Sequence, residues 1–165
     1  MSKKVVAIII GTRPEAIKLA PLIKEFQLIN KIRTVVISTG QHLEMVDQVL
    51  RLFLIKEDIN LRLMRDKQTL TYITCNALEG LRNVFEEIKP NIVIVQGDTT
   101  TAFSAALAAF YLKIPVGHVE AGLRSNDIFN PYPEEANRKL ISQITSLHFA
   151  PTNIARENLH KSNVS

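Results

Sequence analysis

Apolar residues come in short unbroken runs along this chain, and most of the runs end in a polar turn. VVAIII at 5–10, TVVIST at 34–39, IVIV at 92–95 and PVGHV at 115–119 are dominated by β-branched residues. Continuous rather than alternating apolarity means burial on both faces, the habit of strands in a parallel sheet. Shorter runs at 59–63 and 147–150 predict two further strands. Between the runs, apolar positions return every three or four residues, as one face of a helix does. A helix is predicted from Pro14, where proline suits the first turn, with Leu22, Ile23 and Phe26 inward and a kink or restart at Pro21. Met45, Val46, Val49, Leu50 and Phe53 form a second stripe. Leu70, Ile73, Ala77, Leu81, Phe85 and Ile88 form a third, capped by Thr69 and ended by Pro90. The helix expected at 100–112 carries alanine at 102, 105, 106, 108 and 109, small enough to lie close on a sheet. Helices at 134–144 and from Thr152 to about 160 complete the pattern.

This βαβα order predicts an α/β fold, a doubly wound parallel sheet of six or seven strands with right-handed crossovers. At 165 residues the chain suits one domain rather than two. Its composition, 46% hydrophobic and 22% charged, is that of a folded chain and not a disordered one. The net charge of +4 is spread over scattered Lys and Arg with few aromatics beside them, which argues against a nucleic-acid partner. Cys75 is the only cysteine, so no disulfide or thiolate metal site is available; within a helical pattern it reads as a small core residue. VVAIII is too short for a signal sequence and no run nears the roughly 18 residues of a membrane span, so a cytoplasmic protein with no membrane partner is expected.

Ligands of an open parallel sheet bind outside the carboxyl ends of its strands. Four polar clusters fall there: GTRPE, TGQH, QGDTT and EAGLR, whereas NKIR, IKPN and LKIP at the other edge are plain connections. GTRPEAIK puts Arg13 and a helix N-terminus at this rim, a setting that favours an anion such as a phosphate, unless Arg13 pairs with Glu15. Lys18 follows one turn later, facing the same cleft or solvent. Neither GxGxxG nor GxxxxGK[ST] occurs, so NAD and ATP are not implied and no cofactor is expected. Asp98 could cap the following helix or act as an acid, base or sugar-hydroxyl partner. Glu120 at a strand end is a candidate proton carrier, with a pKa expected to be raised by burial near other carboxylates. Glu134 and Glu135 open a helix, where acids are favoured in any case. His42 lies on a rim loop, His118 reads as a satisfied core histidine, and no metal-ligand spacing is present.

GTRPEAIK, TGQHLEMVDQV, GDTTTA, IPVGHVEAGLR and PYPEEANR, in this order, resemble the bacterial non-hydrolysing UDP-N-acetylglucosamine 2-epimerases over essentially all 165 residues. The resemblance implies a Rossmann-like N-terminal domain (1–165) of a GT-B-like architecture, with a C-terminal UDP-binding domain absent from this chain. It also implies interconversion of UDP-N-acetylglucosamine and UDP-N-acetylmannosamine by elimination and re-addition of UDP through 2-acetamidoglucal. Asp98, Glu120 and Glu134 match the family's acidic catalytic positions. Arg13, Lys18 and Arg138 match its basic ones, and Gln41 and His42 of the TGQH loop join them as substrate-binding positions. UDP-N-acetylglucosamine can also act as an activator in bacterial members; Gln41 and Gln68 match that second site, while Glu44 and Lys67 depart from it, as Gln96 departs from a frequent histidine. A homodimer serving polysaccharide biosynthesis is implied, as is negligible activity of this half alone. A non-catalytic folded remnant that self-associates, or half of a GT-B glycosyltransferase, are the alternatives.

Overall fold

The computed structural model describes residues 3–40, 43–65 and 67–164. Twelve elements alternate along them: β1 (Lys4–Ile10), α1 (Arg13–Leu28), β2 (Ile32–Ser38), α2 (Leu43–Leu52), β3 (Ile59–Asn60), α3 (Leu70–Ile88), β4 (Ile92–Gln96), α4 (Thr100–Tyr111), β5 (Val116–Val119), α5 (Glu134–Ile144), β6 (Leu147–Phe149) and α6 (Asn153–Lys161). The strands form one sheet in the order β3-β2-β1-β4-β5-β6, every pair parallel. That is the doubly wound Rossmann order, with the reversal of direction between β1 and β4.

Both faces of the sheet are covered, as the unbroken apolar runs require. Val6, Ile8, Ile10, Val36 and Ile94 point to one side, against Ala16, Leu19 and Ile23 of α1 and Val46, Val49 and Leu50 of α2. Ala7, Ile9, Val35, Ile37, Val93 and Val95 point to the other, against α3, the alanines of α4, and Ile141 of α5. Adjacent strand residues thus serve opposite cores, so a one-residue slip in register would empty both.

Several boundaries differ from the sequence expectation, each for a local reason. β3 keeps only two residues because the Asn60 side chain accepts the Arg62 N–H and turns Arg62 to φ 52°. The chain still runs beside β2, with Leu61 and Leu63 N–H donating to the Ser38 and Thr39 carbonyls. α1 continues through Pro21 rather than restarting there. Pro21 sits on the exposed face, where water can take the carbonyl that proline leaves without a donor. Met45 and Leu70 fall outside their apolar stripes and are exposed, and so is Cys75, which is not a core residue: one position past Thr74, it turns away from the buried line of Ile73, Ala77 and Leu81. No described helix is long and apolar enough to cross a membrane.

Candidate active site

Three strand exits and two helices, α1 and α5, build a cleft of about 240 Å³ at the carboxyl end of the sheet, beside the β1/β4 switch. The β1 exit comes close to α4: a Cβ on Gly11 would lie 2.6 Å from the Thr101 hydroxyl, so only glycine lets this turn pack. Thr12 caps α1, and Glu15 at its third position reaches back over the turn. Glu15 Oε2 accepts the N–H groups of Gly11 at 2.7 Å and Thr12 at 2.6 Å, and its Oε1 accepts the Thr99 hydroxyl at 2.6 Å. Burial pushes the Glu15 carboxyl above its ordinary pKa, and these hydrogen bonds pull against that rise. The Gly11 and Thr12 N–H groups at this turn are therefore not open to an external anion, and the alternative pairing of Glu15 with Arg13 is not formed either.

The β4 exit turns at Gly97, φ +72°, and hands the chain to Asp98 and Thr99. Thr99, not Asp98, caps α4: its hydroxyl oxygen accepts the Ala102 N–H. Asp98 is thereby left to its side-chain partner, and Arg138 Nη2 lies 2.5 Å from its Oδ2. Asn137 Nδ2 donates to the Asp98 carbonyl at 2.8 Å and fixes the turn from α5. From below, the ring of His118 meets the Gly97 carbonyl at 2.6 Å. A carbonyl only accepts, so Nε2 carries a proton, and Nδ1 is unpartnered among the described residues. Desolvation, the largest influence, drives the His118 pKa down to about 4. His118 is thus the buried histidine expected, satisfied at one nitrogen.

At the β5 exit Glu120 adopts φ +66°, a left-handed conformation that non-glycine residues seldom take. Its Oε2 receives Lys18 Nζ at 2.5 Å from α1 and the Gln96 side-chain amide from β4. The carboxylate neighbours expected around Glu120 are therefore replaced by a cation and an amide donor. Two carboxylates at adjacent strand ends are each held by one cation from a helix, Asp98 by Arg138 and Glu120 by Lys18. Arg138 also donates to Glu135 at 3.2 Å. Burial alone would raise the Glu135 pKa, but the Ser125 N–H and the charges of Arg138 and Arg124 lower it.

Lys18, Asp98, Glu120 and Arg138 thus share one cleft. Arg13 stands exposed in the first turn of α1 and Glu134 half-exposed in the first turn of α5, both outside the cleft lining and without an ion pair among the described residues. Gln41 and His42 lie outside the described residues. Glu15, Gln96, Thr99 and Asn137 hold the site together and were not singled out from the sequence as its members. Glu15 had a signal in the Thr12-x-x-Glu15 capping spacing, and Gln96 and Thr99 in the QGDTT cluster at the rim. No group of three or more His, Cys, Asp or Glu that could hold a metal ion occurs among the described residues. The cleft is smaller than the ~300–1,000 Å³ usual for small-molecule sites, so on its own it suits a sugar or phosphate portion of a larger ligand.

The model of a protein family described as UDP-N-acetylglucosamine 2-epimerase matches residues 24–165. A putative UDP-N-acetylglucosamine 2-epimerase of Thermotoga maritima is 56% identical over 156 residues, 94% of this chain and 41% of that protein. The UDP-N-acetylglucosamine 2-epimerase of Yersinia pestis is 56% identical over 151 residues, 92% of this chain and 40% of that protein. The crystal structure of the Neisseria meningitidis UDP-GlcNAc 2-epimerase, bound to UDP-GlcNAc, superposes with a TM-score of 0.94 at 52% identity, covering 98% of this chain and 43% of that one. The chain spans about two fifths of the length of these relatives, and it belongs to the UDP-N-acetylglucosamine 2-epimerase family.

Proposed function

We propose that this chain is the proton-handling half of an enzyme that interconverts UDP-N-acetylglucosamine and UDP-N-acetylmannosamine. The observation that carries the reading is the pair of cation-held carboxylates, Asp98 with Arg138 and Glu120 with Lys18, in one cleft at the strand ends. The reaction needs a base for the C2 proton and positive charge for a departing diphosphate. In the forward half-reaction a carboxylate takes the C2 proton, the bond from C1 to the diphosphate oxygen breaks, and UDP leaves with the bonding pair. Proton return to the opposite face of C2, with UDP re-added at C1, gives the epimer. Asp98 and Glu120 carry the proton, and Lys18 and Arg138 meet the diphosphate. Glu134 and Arg13 reach the substrate from the rim, and Gln41 and His42, which follow β2 in the sequence, join them. UDP and UDP-N-acetylglucosamine are the ligands, the latter also as an activator. The uridine is held by a second, C-terminal domain that closes over this cleft. The reading carries with it a cytoplasmic homodimer serving polysaccharide biosynthesis.

The test is C2 proton exchange in heavy water, followed with this chain alone and with the remaining portion of a relative added in trans. Exchange is expected only in the mixture, because lost positioning alone removes on the order of several kcal/mol of barrier lowering. Asp98→Asn or Glu120→Gln should then abolish it. Exchange by the chain alone would refute the division of labour; no exchange in the mixture, with both parts folded, would refute the enzymatic reading.

A further inference from the structure

In a doubly wound sheet, the turn from the first strand into the first helix ordinarily presents free backbone N–H groups to a phosphate. Here that turn already holds a carboxyl group. The N–H groups of Gly11 and Thr12 converge on one oxygen of Glu15, at 2.7 and 2.6 Å, and the Thr99 hydroxyl holds the other at 2.6 Å. An ordinary capping glutamate lies on the surface and serves its own helix. Glu15 is 2% exposed, and its third donor comes from a different strand exit, 84 residues along the chain. Thr12, Glu15 and Thr99 all line the cleft, so the filled turn is part of its wall and not a remote feature.

We infer that Glu15 is a built-in anion that occupies the phosphate position of the first βα turn and closes it to ligand phosphates. It is a positioning residue: through the Thr99 hydroxyl it ties the β1 exit to the β4 exit and so sets where Asp98 stands. Three donors and no acceptor converge on the carboxylate, which favours its ionised form against the burial that raises its pKa, and a second anion at the same N–H groups would meet that charge at contact distance. The consequence for specificity is directional. A diphosphate entering this cleft is turned away from Gly11 and Thr12 and toward the Lys18 and Arg138 side. Only that last step rests on the function proposed above; the closure of the turn does not.

Inorganic pyrophosphate titrated into the nitrogen-15-labelled chain tests the inference without any catalytic readout. In the wild type, the Gly11 and Thr12 amide signals stay in place. In Glu15→Ala they shift saturably, and pyrophosphate binds at least about tenfold more tightly, about 1.4 kcal/mol, than to the wild type. A merely structural glutamate would cost stability without creating an anion site. Movement of the Gly11 or Thr12 amides in the wild type would overturn the inference, and so would their silence in folded Glu15→Ala. Should Glu15→Ala not fold, the wild type decides by hydrogen exchange. Both amides are then protected as Glu15 ligands, and exchange at the rate of an open loop overturns the assignment. Failure of C2 exchange would leave these amide readouts unchanged, so the two readings fall separately.

Discussion

Acidification should destabilise this protein through His118 before it reaches most carboxylates. The imidazole is buried, neutral and bonded to the Gly97 carbonyl, with its pKa lowered from 6.5 to about 4. An unfolded chain takes up this proton near pH 6.5; the folded chain does so only near pH 4. Between those values the unfolded state binds more protons, so stability falls as pH falls. The contribution is fully present above pH 6.5, is lost progressively toward pH 4, and changes no further below it. The whole shift is worth about 3 kcal/mol, and about 2 kcal/mol of it is lost between pH 7 and pH 5. Other groups titrate in the same window: His148, lowered by burial, acts in the same sense, whereas the raised Glu15 acts in the opposite one. A comparison with His118→Gln, whose amide can still donate to Gly97, cancels them. Urea unfolding at pH 5, 6 and 7 should show the wild type losing about 2 kcal/mol more than the variant from pH 7 to pH 5. Parallel stability curves would falsify the assignment of a neutral, desolvated His118.

Arg138→Met should cost about 2 kcal/mol in denaturant unfolding, because it takes the hydrogen-bonded cation from the buried Glu135 and leaves it the Ser125 N–H and the more distant Lys139, whereas Asp98→Asn should cost under about 1 kcal/mol. Equal losses would show that the Asp98 pair, not Glu135, governs the stability. Gly122→Ala should be the harsher of the small substitutions: φ is +88° and a Cβ would overlap the Ala155 carbonyl, so about 3 kcal/mol or outright misfolding is expected, read by circular dichroism melting. Thr99→Ala removes both the cap of α4 and a Glu15 donor and should lower stability by about 1–2 kcal/mol in the same measurement. Cys75 should react with a thiol reagent in the folded state at close to the rate seen in denaturant; protection would contradict its exposure.

The fold was legible because burial on both faces leaves an unmistakable pattern. VVAIII and IVIV permit no solvent face, and the polar exits that follow them mark the functional end of the sheet. The site was legible down to its ionisable members but not to their pairing. Nothing in the local spacing couples Lys18 to Glu120 across 102 residues, or Thr99 to Glu15 across 84. The capping of α4 by Thr99 rather than Asp98 turns on one backbone torsion at Gly97, to which the residue sequence GDTTT is indifferent. Cys75 was misplaced because a helical pattern alone does not name the buried face, and a stripe of Ile73, Ala77 and Leu81 leaves position 75 on the far side.

The strand order also governs when the cleft can come into being. β1 finds β2 through a local crossover, but its other neighbour is β4, and the bond that opens that pairing, Val5 N–H to Asn91 Oδ1, spans 86 residues. Such a closure carries a loop-entropy cost before any contact rewards it and slows folding. Lys18 lies on the early side of that closure, and Asp98, Glu120 and Arg138 on the late side. During synthesis the first three elements can assemble while the chain still lacks the partners that make them a site. The Lys18–Glu120 ion pair across the cleft is therefore among the last contacts made, and any defect that delays β4 leaves folded helices around a chemically incomplete floor.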